Sequence, residues 1–460
     1  MKARQTWRGS VACGLLILAA VALAAGCSGG GRGTLAAQAG GKGDPAPSDN
    51  AYLRTGPQDD GSYLLPNARR ITPAGRSQWV NRFPNDVKVA PDGQRAVVTT
   101  FAEPTVTLID TATMDVTQTL LPGETFVGIV FDHAGGRFWI GGGGGNDIQE
   151  YAYSSGVATL SRTFRLWGYP AGLALSPDER TLYACSNMEN RVAEFNLETG
   201  TEGRSALTGS YPYDVKITPD GTKLYASNWG GSSVTVIDAA SMTALADIPT
   251  GKNPTKLAMS RDGSRVYSAD ADTDTVTAID TATDTAATWP LHDDAVEGEV
   301  KIGSYPNAIT ISADGATLYV ASAAYYCVTV LDAATGAVRG RIPTGWYTSG
   351  VDLDESAQTL WVVNGKGYGS AAAMPAGWVG TVEAIEVPDA AQLAAYTDQV
   401  TQNISWGLSF FDTAAAGFES PVPAAFGTAS EQIKHVIFVM AENKTYDQYF
   451  GDLEGTEHDP

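Results

Sequence analysis

The chain has 460 residues, and its 51 acidic against 30 basic side chains give a formal charge of −21, a surface that repels polyanions and excludes nucleic acid as a partner. Only four histidines are present, too few for a His-rich copper or haem site, so any metal chemistry has to come from carboxylate and amide oxygens. Frequent Gly, sparse charge and short runs of β-branched and aromatic residues broken by Asp-Gly and Pro point to an all-β fold.

Residues 1–26 have the form of an export signal: Lys2, Arg4 and Arg8 precede an apolar stretch from Val11 to Ala25. The segment ends in Leu23-Ala24-Ala25-Gly26-Cys27, which resembles a bacterial lipobox with Leu one position further from Cys27 than in the commonest form. The resemblance implies a lipid anchor on Cys27 in the cell envelope, on the periplasmic or extracellular side; the alternative is an ordinary cleaved signal peptide. Residues 27–61 are rich in Gly, Ala, Pro, Asp and Ser without apolar periodicity, and are expected to be a flexible tether of roughly 30 Å root-mean-square span. Once Cys13 leaves with the signal and Cys27 is acylated, Cys185 and Cys327 remain, and both are expected to be small buried hydrophobes.

Across residues 62–387 three phrases recur in fixed order. An apolar strand enters a Pro-Asp-Gly turn, as in Val87 to Gly93 and Val215 to Gly221; a Leu-Tyr strand follows, as in Lys223 to Ala226; then comes a strand of the type Thr105 to Asp110. The terminal Asp of the third phrase stands at Asp238 and again at Asp280, a step of 42, and a step of 52 to Asp332 leaves a surplus absorbed by a polar loop at Leu291 to Glu299. Such a period predicts an array, here seven units of three clear strands and a weaker fourth: a seven-bladed β-propeller. The segment from Ala68 to Val80 can supply the missing strand of the last blade, so that no sheet edge stays open.

Few propeller residues suggest chemistry. Asp270, Asp272 and Asp274 have the odd spacing of a calcium loop but lack its Gly and Glu, and are read as solvated turn carboxylates; Gly141 to Gly145 form either an anion-binding loop or a plain hairpin. Trp229, Tyr325, Tyr326, Trp346 and Tyr347 fall in or beside loops and are candidates for a face that binds a ligand or a protein, with ordinary blade packing as the alternative.

Residues 388–432 are expected to hold a helix, opened by the capping sequence Pro388-Asp389-Ala390-Ala391-Gln392, and a linker. Residues 433–460 begin with the apolar run Ile433 to Met440, suited to a buried parallel strand, followed by Ala441 to Gly451. The recurring propeller phrases resemble YVTN repeats, and the order of signal, propeller, helix and terminal strand resembles exported proteins that fuse a YncE-like propeller to an alkaline phosphatase-superfamily phosphoesterase of the phospholipase C and acid phosphatase branch. The resemblance implies that Glu442 and Asn443 are metal ligands of a phosphoric-ester hydrolase. On this reading the chain is the N-terminal part of a longer protein, its α/β phosphoesterase domain incomplete, with no catalytic residue of its own and no tightly bound divalent metal. The expectation is a monomer carrying a ligand- or partner-binding propeller; the alternative is a stand-alone binding or scaffold propeller without enzymatic activity.

Overall fold

The computed structural model describes residues 55–67, 69–292, 303–369, 379–409 and 434. They build seven four-stranded antiparallel sheets and one three-stranded sheet. Blade I consists of Pro84–Val89, Arg95–Thr100, Thr105–Asp110 and Val116–Leu120. The same order repeats in blades II (129–165), III (170–207), IV (212–249), V (254–290) and VI (306–343). Blade VII takes Thr348–Asp354, Thr359–Asn364 and Gly380–Glu386, and its outer strand is Arg76–Val80 from the start of the propeller. This is the expected closure: the ring is shut by backbone hydrogen bonds between distant parts of the chain.

The repeated phrases become strands and turns for local reasons. In Thr218-Pro219-Asp220-Gly221, the Asp220 carboxylate accepts from the Thr218 hydroxyl at 2.6 Å and the Thr222 N–H at 3.0 Å, and Gly221 takes the left-handed φ of +72° that a side chain disfavours. At the end of the third strand, Asp280 accepts from the N–H groups of Ala282 and Thr283, both at 3.1 Å, which turns the chain toward the fourth strand. The cores lie between blades: Cys185 and Val192 of blade III pack with Val215, Leu224 and Ala226 of blade IV. Cys185 and Cys327 are buried free thiols.

Strand pairing reaches into a part of the chain where composition suggests none. Within the segment expected to be tether, Gly56–Pro57 pairs with Tyr63–Leu64, which pairs with Arg70–Ile71. Leu65 and Ile71 then bury themselves against Tyr326, Trp346 and Tyr368, apolar partners invisible to a composition argument. After the last blade, helix α1 (Ala390–Ser409) is capped by Asp389, whose carboxylate accepts the Gln392 N–H at 2.8 Å. Its Val400 and Ile404 pack on Tyr325 and Cys327, and its Thr397 hydroxyl accepts the Arg341 N–H at 2.9 Å, so α1 covers the outer strand of blade VI. Residues through Gly407 form one compact unit and those from Leu408 a second. Cys27, the run Ile433 to Met440 except Lys434, Glu442 and Asn443 lie outside the described residues, as does most of the loop at Leu291 to Glu299.

Candidate functional site

The innermost strands of neighbouring blades touch one another around a central channel. Each of six of them contains a β-bulge immediately after its first residue, as between Pro84 and Asp86, Pro212 and Val215, or Thr348 and Gly350. A bulge re-aims side chains. In five of the six the inserted residue, Asn85, Tyr213, Thr255, Asn307 or Ser349, lines a cavity of about 200 Å³ at one end of the channel.

The residue before each bulged strand is equally unusual. Phe83, Tyr169, Tyr211, Asn253, Tyr305 and Tyr347 have left-handed φ values of 51–67°. A non-glycine residue in that region costs about 1–2 kcal/mol, and such strain gathers at functional sites. Here it turns rings over the cavity: Phe83, Tyr169, Tyr305 and Tyr347 line it, joined by Phe101, Phe126 and Trp229. The rings contact one another edge-on or tilted, Tyr305 to Tyr347 at 6.4 Å, Tyr347 to Phe83 at 5.3 Å, Phe101 to Phe126 at 5.7 Å and Phe126 to Tyr169 at 5.1 Å between centroids. Every blade contributes to this collar and its floor. Burial holds the phenols of Tyr169, Tyr213 and Tyr347 above their ordinary pKa, so they stay neutral.

One residue further along the same strands the channel becomes charged. Asp86 of blade I meets Lys256 of blade V at 2.6 Å; blades I and V are not neighbours, so this ion pair crosses the lumen. Lys88 meets Asp352 at 2.6 Å, and Lys216 meets Asp214 at 3.0 Å. Burial opposes the charge on Lys256, but the carboxylates of Asp86 and Asp214 outweigh it and raise its pKa; for Lys88, Asp352 outweighs burial in the same way. Burial likewise opposes the charge on Asp214, and Lys216 and Lys256 overcome it and lower its pKa. The carboxylates also latch blade to blade: Asp86 accepts from Gly128 N–H at 2.8 Å, Asp214 from Leu257 N–H at 3.0 Å and Asp352 from Val89 N–H at 2.9 Å. Close approach of the strands makes glycine necessary between them: a Cβ on Gly172 would stand 2.4 Å from the Asp214 Cα.

The residues singled out in the sequence part company here. Trp229 and Tyr347 line the cavity. Tyr325, Tyr326 and Trp346 are at most 9 % exposed: the first packs under α1, the other two under the N-terminal sheet. The reading of Asp270 as a solvated turn carboxylate is corrected. It is fully buried and accepts from the hydroxyls of Thr277 at 2.6 Å, Ser268 at 2.8 Å and Thr275 at 3.0 Å, and burial still pushes its pKa up to about 6. Asp274 instead accepts from the N–H groups of Ser304 and Tyr305, tying blade V to blade VI. No three His, Cys, Asp or Glu side chains gather in a metal-binding cluster among the described residues. Gly143–Gly145 form a single 3₁₀ turn, and Gly143 lies so close to the Phe126 and Tyr169 side chains that a Cβ would stand 3.0 Å from Phe126. The collar itself, missed by the sequence reading, had a signal: an aromatic residue directly before Pro in Phe83-Pro84, Tyr169-Pro170, Tyr211-Pro212 and Tyr305-Pro306.

Comparison with known proteins agrees with this architecture. The model of the family described as "Lactonase, 7-bladed beta-propeller" matches residues 137–238 and 203–302. A solved structure titled "Kuenenia stuttgartiensis Hydrazine Synthase" superposes with a TM-score of 0.53 at 21% identity, covering 62% of this chain and 93% of that one. At that identity the likeness is one of fold. No curated protein matches the sequence. The chain is a β-propeller with a lactonase-like blade pattern.

Proposed function

We propose that the propeller is a binding unit that seats a small ligand within the aromatic collar at the channel mouth. The observation that carries this reading is the collar's construction: strained backbone precedes six innermost strands and a bulge follows, and four of the strained residues and five of the bulges turn side chains into one cavity. Ligand-observed NMR with a fragment library on the full chain tests it. Fragments that bind should be lost on Tyr347→Ala or Trp229→Ala and retained on Leu245→Ala, which alters an exposed side chain of the outer strand of blade IV. Equal binding to all three variants overturns the reading.

The lactonase-like pattern raises a second reading, hydrolysis by the propeller itself. Against it stands the lining, whose described residues offer the hydroxyls of Ser349, Thr255 and four tyrosines but no carboxylate, imidazole, thiol or amine to activate one of them. Incubation with a γ-lactone is expected to give no turnover above buffer.

The placement of this propeller in the cell rests on sequence resemblance: export, a lipid on Cys27, and a role as the N-terminal part of a metal-dependent phosphoesterase with Glu442 and Asn443 among its metal ligands. Those two side chains supply two oxygen donors where a catalytic divalent metal takes about four to six ligands, so this chain alone is proposed to be inactive. A radioactive fatty acid should label the wild type and not Cys27→Ala. Nitrophenyl phosphate should not be turned over with zinc, manganese or calcium present, and turnover lost in Glu442→Ala would defeat that expectation.

A further inference from the structure

The chemistry of the collar narrows the class of ligand. We infer that the ligand is an uncharged saccharide, one sugar ring entering the cavity and its neighbour lying over Trp229 and Tyr211. This rests on the mouth being the ligand site. An anion finds no positive charge among the described lining residues: Lys366 lies outside the lining on the Trp346 and Tyr347 ring faces, at 4.9 and 5.4 Å, and the lysines below the floor are each held by a carboxylate at 2.6–3.0 Å. An organic cation would use the ring faces but, having no acceptor to offer, would leave the buried Asn85 Nδ2 donor unmet.

The floor asks for a group that both donates and accepts. The Ser349 hydroxyl donates to the Pro84 carbonyl at 2.6 Å and the Thr255 hydroxyl to the Ala269 carbonyl at 3.0 Å, which leaves the lone pairs of both oxygens as acceptors. Asn85, 8 % exposed, accepts the Thr99 hydroxyl at 3.1 Å on Oδ1, while its buried Nδ2 has no partner and is a spare donor. Sugar hydroxyls meet both demands, and the C–H faces of a sugar ring complement the negative faces of the aromatic rings. The volume of about 200 Å³ falls below the roughly 300–1,000 Å³ of pockets for drug-sized ligands and suits a single ring. The exit is aromatic as well: Trp229 meets the Tyr211 ring at 6.4 Å, and Tyr211 is 40 % exposed, a platform at the edge of the mouth.

An array of neutral, sialylated, sulfated and phosphorylated oligosaccharides probed with the full chain tests the inference. Binding is expected on neutral glycans alone, at least tenfold weaker for Trp229→Ala and for Asn307→Ala, and unchanged for Leu245→Ala. Variants are first matched to wild type by circular dichroism, so that a folding failure is not scored as lost binding. Binding confined to charged glycans, or to none on the array, overturns the saccharide class. The fragment screen then separates the two readings: fragments lost on Tyr347→Ala keep the mouth as a site for another ligand, and fragments indifferent to it overturn both.

Discussion

Two levels of one channel, one to three residues apart along the same strands, are built on opposite principles. At the mouth, the described lining side chains are uncharged, the backbone is strained and Asn85 Nδ2 stays unpaired. Below it, Asp86 and Asp352 are saturated with lysine and backbone donors from other strands, and Asp214 with Lys216 of its own strand and the Leu257 N–H of the next blade. The lower level spends its polarity on holding blades together. The upper level keeps the Asn85 Nδ2 donor unpaired and spare lone pairs on Ser349 and Thr255, and these are what it can offer a ligand.

The contrast breaks most visibly in stability. Asp86→Ala strands Lys256 without a partner and releases the Gly128 N–H, so it should cost about 3–5 kcal/mol, read as a shift in the urea midpoint. An effect under about 1 kcal/mol would mean that the lumen charges are not structural.

A second test uses pH on the buried acids outside the lumen. Asp270 has its pKa raised by burial to about 6, and Glu383, fully buried in blade VII, to about 8. A raised carboxyl pKa favours the folded state when protonated: the stabilisation is complete below about pH 4 and is lost as pH rises through 6 for Asp270 and through 8 for Glu383. Asp270→Asn imitates the protonated form, and Asn228 already occupies the matching strand end in blade IV. The variant should equal wild type near pH 4 and exceed it by about 2–3 kcal/mol at pH 8. Denaturation curves that stay parallel across that range would show that Asp270 ionises freely. Glu383→Gln should gain in the same direction, its advantage starting at nearly the same pH but growing until about pH 8 rather than about 6.

The smallest effect is expected at the collar. Tyr211→Gly removes a half-exposed ring but relieves a left-handed φ of 55°, so stability should change by no more than about 1 kcal/mol. A loss beyond about 2 kcal/mol would place the collar among the structural elements and erase the distinction between the two levels.

What could be read from the chain was whatever repeats locally. Pro-Asp-Gly turns, alternating strands and the Asp-ended third strand each form within a few residues, and their period of 42 or so gave the blade count and the need for an N-terminal closing strand. The N-terminal sheet escaped notice because its two-residue strands have no periodicity of their own and are fixed by Tyr326, Trp346 and Tyr368, hundreds of residues away. Tyr325 and Trp229 look alike in sequence, both aromatics after a strand, and only the packing of α1 buries the one while the channel exposes the other. The site was harder still to see, since each blade gives it one to three side chains and in five blades a bulge decides where one of them points. Ring closure alone brings Asp86 to Lys256 across 170 residues and sets seven separate contributions around one mouth, because convergence on an axis is a property of the ring that no single repeat contains.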